Sequence, residues 1–201
     1  MNRFVSIFAA GMVPLALAGC SLGGLLGGGG KPPANLQTLT PEATDPGPIT
    51  RTANAGQAVT VAVPIVAKEL HTVRVPVQVS PTDIQYVTGL QWVDTPDHLF
   101  QRLLAETIRR TTNRVVLDSA LTTLDPGLLL SGQLQKFGYD AQTGQVIVEY
   151  DGALSTAGGS RVDTRRFVAS VPADGTAATT GPALNRAANQ VAADVAKWVG
   201  G

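Results

Sequence analysis

The amino-acid sequence predicts an α+β domain, a two-layer sandwich of a mixed, largely antiparallel sheet with two helices on one face. Three observations carry that prediction. Stretches in which apolar and polar side chains alternate are followed by one apolar stripe of helical period, then by more alternating stretches and a second stripe. In one alternating run Val146, Val148 and Tyr150 face one way and Glu149 and Asp151 the other, the pattern of an antiparallel sheet with one wet face. No internal repeat is visible, so one layered domain accounts for the order of elements.

The strands begin at about Ala58. Val59, Val61 and Val63 alternate with small or polar residues, and β-branched residues continue through Val66. Val73, Val75, Val77 and Val79 alternate again around Pro76. Proline cannot donate to a strand ladder, so this strand is expected at a sheet edge or a bulge, and as an edge it is a candidate for strand addition by a partner. Ile84 to Val87 continues after a turn at Pro81. The first helix opens with Thr95 as the capping residue, Pro96 in the first helical position and Asp97 at the positive end of the dipole. Leu99, Phe100, Leu103, Leu104 and Ile108 form its stripe, and Arg109 and Arg110 close it. Val115 to Leu117 reads as a short strand. Leu128 to Phe137, Val146 to Leu154 and Arg161 to Val171 are three strands joined by turns at Asp140 to Gly144 and Ala157 to Ser160. The last helix is expected from about Pro182 to Val199, with Leu184, Ala187, Ala188, Val191, Val195 and Trp198 on one side.

Ahead of this domain, residues 1–19 have the layout of a signal peptide. Arg3 supplies a positive charge, and Phe4 to Leu17 carries none. The run is shorter than the ~20 apolar residues that a spanning helix needs, and it contains Pro14. It meets Leu17-Ala18-Gly19-Cys20, small residues followed by a thiol, which matches the bacterial lipoprotein processing motif. Cleavage between Gly19 and Cys20, with S-diacylglyceryl and N-acyl chains on Cys20, would put three chains into a bilayer, enough for stable anchoring. Ser21 lacks the acidic character of an inner-membrane retention signal, so the outer membrane, periplasmic face, is the expected location. Residues 20–57 then read as a lipidated cysteine and a tether. Gly23, Gly24, Gly27 to Gly30 and Pro32, Pro33, Pro41, Pro46 and Pro48 leave too little apolar surface to offset ordering entropy. As a flexible coil, such a tether would reach roughly 30–35 Å. Residues 58–201 form the folded domain.

Composition removes several classes of function. Lys and Arg number 15 and so do Asp and Glu, which leaves no basic excess for nucleic acid. The single cysteine excludes a disulfide framework and a cysteine-built zinc site. Gly30-Lys31 does not open a phosphate-binding loop, because position 25 is Leu and position 32 is Pro. His71 and His98 lack metal-ligand spacing and read as surface or capping residues. No nucleophile elbow is present. Asp94 and Asp97 suit a helix start, and Glu149 with Asp151 suits a solvated sheet face better than an acid–base pair. No catalytic residue, cofactor or metal site is therefore expected. Tyr86 and Trp92 flank a Thr-Gly turn. They are either core over the helix start or, if exposed, a partner contact.

With that layout in hand, the chain resembles the ABC-type transport auxiliary lipoprotein family, the lipoprotein partners of MCE/Pqi-type lipid transport systems. The residues that carry the resemblance are the lipobox, Gln85-Tyr86, Gln91-Trp92-Val93-Asp94-Thr95-Pro96 leading into Leu99 to Ile108, Leu128 to Leu134 with Phe137, Val146 to Tyr150, and the closing Ala-rich helix. Lys68 to Arg74 departs from the Leu-Asp-Arg-type stretch common in that family. The resemblance implies a fold like the N-terminal domain of TolB and a non-enzymatic periplasmic component. Its partners would be an MCE-type substrate-binding protein with an inner-membrane permease and ATPase, and its task to help move lipid or another apolar solute between membranes. Two alternatives stay open: an envelope assembly or activation lipoprotein serving cell-wall synthesis or secretion, and a periplasmic carrier of apolar ligands.

Overall fold

The computed structural model describes residues 35–54, 57–117, 127–156 and 161–200. In chain order the elements are β1 (Val59–Val61), β2 (Ile65–Val66), β3 (Arg74–Ser80), β4 (Asp83–Gln91), α1 (Pro96–Thr111), β5 (Val116–Leu117), β6 (Leu128–Asp140), β7 (Gln145–Thr156), β8 (Val162–Pro172) and α2 (Ala177–Gly200). They form one mixed eight-stranded sheet with two helices, the α+β class that the sequence predicts.

β6 is the axis of the sheet. On one side it pairs antiparallel with β7, which pairs antiparallel with β8. On the other side three short strands lie along it in succession, all parallel: β1 beside Leu128 to Leu130, β2 beside Gln133 and Leu134, and β3 beside Tyr139 and Asp140. β4 pairs antiparallel with β3, and β5 pairs parallel with β1. The early Val-rich stretch is thus three strands rather than two, broken where Pro64 and a 3-10 turn at Lys68–Leu70 interrupt it.

The helices cover one face. Val59, Val61, Leu130, Leu134, Phe137, Val146, Val148 and Tyr150 from the sheet meet Leu99, Phe100, Leu103, Leu104, Ile108, Leu184, Val191 and Val195, all buried. The Phe100 ring stands edge-on to Tyr150 at 5.3 Å between centroids. The Tyr150 hydroxyl donates to the Ser131 carbonyl at 2.8 Å, and burial pushes its pKa up. Gly132 opposes Gly152 across β6 and β7, and a Cβ at Gly132 would lie 2.2 Å from the Asp151 carbonyl oxygen. Side-chain-free backbone at that point is what lets the large Tyr150 ring lie inside.

Several expectations need correction. β3 is not an edge, because β4 and β6 flank it. Pro76 is tolerated because the β3–β4 register shifts there, leaving a bulge where a donor is not required. Strand addition at Val73 to Val79 is therefore closed off by the chain itself. Thr95 occupies the cap position of α1, yet its side chain makes no capping bond. Instead Asp94 accepts the Thr95 backbone N–H at 2.8 Å. α2 begins at Ala177, before Pro182, which lies inside it. Asp174 holds that earlier start by accepting from the Thr179 hydroxyl and from the Thr176 hydroxyl and N–H. These hydrogen bonds lower its carboxyl pKa to about 2.

Part of the stretch assigned by composition to the tether is built into the domain. Gln37 forms a parallel bridge with Trp92, donating its N–H to Gln91 and accepting from Val93, both at 2.8 Å. Leu39 is buried. Asn185 and Asn189, one turn apart on α2, accept the Thr40 and Glu42 N–H groups at 2.8 Å, and the Asn189 amide donates to the Thr40 carbonyl at 2.9 Å. Arg110 reaches the Ala43 carbonyl from α1 at 2.9 Å. Apolar burial plays little part here: backbone groups of the strap are satisfied by side chains of the helices.

Candidate functional site

The sheet face away from the helices is the first surface with chemistry on it. The same alternation that buries Val146, Val148 and Tyr150 turns Ile147, Glu149 and Asp151 outward. Arg166 on β8 lies opposite Asp151 in the register and grips it through Nε and Nη2 at 2.6 and 2.7 Å. Its Nη1 is 3.2 Å from Glu149, and Lys136 lies 3.9 Å from the same carboxylate. The Gln135 amide adds bonds to Asp151 at 3.2 Å and to Gln133 at 2.8 Å. The Arg166 guanidinium holds the Asp151 carboxyl below its ordinary value. Glu149 and Asp151 thus form a charge lattice with Arg166 and Lys136 on a wet face.

Apolar residues border this lattice. Ile65, Leu129, Val162 and Val168 are exposed. Toward the β3–β4 end the face dips into a groove of about 380 Å³, lined by Pro76, Ile84, Gly138 and Ile147 with Gln78 and Lys136. A Cβ on Gly138 would lie 2.5 Å from the Pro76 carbonyl oxygen, so this glycine lets β3 and β6 close together beneath the groove.

The second surface is the corner where the N-terminal strap joins β4. Here the structure separates the two aromatic residues that the sequence paired. Trp92 is 1% exposed and tilts against Phe137 at 5.7 Å, so it belongs to the core and offers no contact to a partner. Tyr86 stays half-buried at the surface. The Arg74 guanidinium stacks over its ring at 4.0 Å, and its hydroxyl reaches the Glu69 carbonyl at 3.5 Å. Six residues apart, the two would share a face under strict alternation. The β3–β4 register shift between them, at a glycine (Gly89) with φ 75°, moves the inward positions from Val87 to Leu90 and Trp92 and leaves Tyr86 outside.

Other singled-out residues are placed as follows. Cys20 and Gly19 lie outside the described residues. His71 is exposed beside the Val66 carbonyl at 3.2 Å, and His98 Nδ1 lies 3.5 Å from Asp94 in the first turn of α1. Asp94 is held below its ordinary value chiefly by the Thr95 N–H and then by Arg102. Among the described residues, no group of three or more His, Cys, Asp or Glu gathers as a metal would require. Also among them, no helix is long and apolar enough to cross a membrane. Asn185, Asn189 and Gln37 escaped the sequence reading. The one available signal was an asparagine pair four residues apart on a helix, which by itself indicates only a shared face.

The chain matches the family model described as ABC-type transport auxiliary lipoprotein component over residues 38–196. That match begins inside the strap, two residues before Thr40. No curated protein matches it significantly in sequence. Among solved structures it is similar to a Xanthomonas campestris protein of the family designated DUF330, with a TM-score of 0.67 at 17% identity, covering 83% of this chain and 95% of that one. A crystal structure of an uncharacterized protein gives a TM-score of 0.59 at 14% identity, over 75% of this chain and 96% of that one. At these identities the likeness shows the fold.

Proposed function

The chain belongs to the ABC-type transport auxiliary lipoprotein family, and from that premise we propose that it is a non-enzymatic, periplasm-facing adaptor anchored in the outer membrane by acylated Cys20. In this reading it docks with an MCE-type substrate-binding protein that works with an inner-membrane permease and ATPase, and assists the passage of lipid or another apolar solute between membranes. The observation that carries the reading is the family match over residues 38–196, joined to a processing motif around the chain's single cysteine. The ion-paired carboxylates on the open sheet face support a docking role, because they hold charge in fixed positions.

Two experiments test it. Crosslinking in cells, followed by affinity purification of the tagged lipidated protein, is expected to recover an MCE-type protein with its permease and ATPase. Recovery of cell-wall synthases or secretion subunits instead would overturn the transport assignment while leaving the fold untouched. Replacing Cys20 with Ser is expected to abolish acylation and release the domain into the soluble periplasmic fraction. A variant that still pellets with membranes would show that Cys20 is not the anchor.

A further inference from the structure

We infer that the corner formed by Leu36, Arg74, Tyr86 and Val93 is a second contact with the membrane, resting on an anionic glycerophospholipid surface beside the acyl chains of Cys20. This rests on the lipid-anchor reading above.

Register places the residues together. Gln37 pairs with Trp92 and Arg74 with Gln91, so Leu36, Gln91 and Arg74 lie side by side on the face opposite the buried Trp92 ring. Val93, two residues after Gln91, follows on that same face. Leu36 is 53% exposed and Val93 51%, while Tyr86 lies flat under the Arg74 guanidinium. An aliphatic pair, an amphipathic ring and a cation are the components that settle at a headgroup boundary.

Charge favours the same occupant. Among the described residues Arg74 has no carboxylate partner. Asp94, beside Val93, is already taken by Arg102 at 2.9 Å and His98 at 3.5 Å. A cation is thus left for lipid phosphate, while Asp94 beside Val93 is matched by a cation. The open sheet face differs, because its arginine and lysine are matched by Glu149 and Asp151.

The strap supplies the geometric argument. The chain enters the folded domain at Leu36, in the middle of this corner. About 15 residues separate Cys20 from Leu36, so a fully extended chain spans at most about 58 Å. The tether root is the part of the domain that cannot leave the lipid surface by more than that length, and tethering raises the local concentration of bilayer there above that at any other face.

The test uses the full lipidated chain reconstituted in vesicles of phosphatidylethanolamine and phosphatidylglycerol. A Val93→Cys variant carries an environment-sensitive fluorophore, Cys20 being blocked by its acyl chains. An Asn113→Cys variant, labelled beyond the far end of α1 and about 24 Å away along that 16-residue helix, is the reference. Nitroxides on the lipid chains are expected to quench the label at 93 and to leave the label at 113 at its intensity on vesicles without nitroxide. Adding Arg74→Glu should bring the two labels to the same level, as should replacing phosphatidylglycerol with phosphatidylcholine. Equal quenching on vesicles that retain the acylated chain overturns the corner contact and leaves the anchor standing. An intact mass without acyl chains overturns the anchor reading, and the corner contact with it. Shielding of the label at 93 only on adding a partner protein assigns the corner to that protein and overturns the lipid contact.

Discussion

The two faces of β7 are built from alternate residues of one strand, yet they obey different physics. On the helix side Val146, Val148 and Tyr150 are fully buried, and Phe100 closes over the tyrosine ring. On the other side Ile147, Glu149 and Asp151 meet solvent and the guanidinium of Arg166. The first face is held by removing apolar surface from water. The second is held by hydrogen-bonded charges whose attraction solvent weakens. The difference teaches where this fold is rigid and where it can change its surface at small cost. Stability resides under the helices, while the open face holds its charges in mutual pairs that can change at small cost.

Substitutions can break or sharpen that contrast. Phe100→Ala is expected to have the largest effect. It removes a fully buried ring and leaves a cavity beside Tyr150, destabilising the domain by about 3–5 kcal/mol, read as a lowered urea midpoint. Asn189→Ala comes next, at about 1–3 kcal/mol, because it strips partners from the Glu42 N–H and the Thr40 carbonyl. Its diagnostic is local: faster hydrogen exchange at residues 40 and 42 while the sheet amides stay protected. If exchange rises uniformly instead, the strap is not a separate unit.

Asp151→Asn on the open face is expected to have the smallest effect at neutral pH, with a midpoint shift well below that of Asn189→Ala. Its signature is pH dependence. The Arg166 guanidinium holds the folded pKa of Asp151 below its ordinary value, so its contribution is present above that ordinary value and disappears as pH falls through the lowered folded pKa. Wild-type and variant stabilities should therefore converge in acid, provided Arg166 is the partner that matters. Curves that stay parallel below pH 4 would mean that the lattice contributes nothing through that carboxylate.

Much of the architecture is legible in the chain because periodicity reports burial directly. The three long strands β6 to β8, the stripe of α1 and the wet face of β7 follow from alternation and helical spacing alone. What periodicity misses is pairing. Nothing local told β3 that a parallel partner would flank it on the side away from β4, so of the two readings of Pro76, edge or bulge, only the bulge in the β3–β4 ladder holds. Composition misled at the strap for a related reason. A stretch rich in proline and polar residues cannot fold by hydrophobic burial, but two asparagines on a distant helix satisfy its backbone. The same applies to Tyr86 and Trp92, which the pleat alone would put on one face and which the register shift in β4 places on opposite sides.

By itself, then, the sequence determined the α+β class, the two apolar helix faces, and the family that the chain belongs to, along with the expectation that Cys20 is processed and acylated. These depend on local pattern and on short motifs that enzymes read in an unfolded chain. Tertiary structure alone decided that β6 would be the axis, that the domain would begin at the strap rather than at Ala58, and that Arg74 would come to lie over Tyr86. Each of those results joins residues far apart in sequence or on neighbouring strands. Their contacts come into being only when the ladder register is set, and register is a property of the whole sheet.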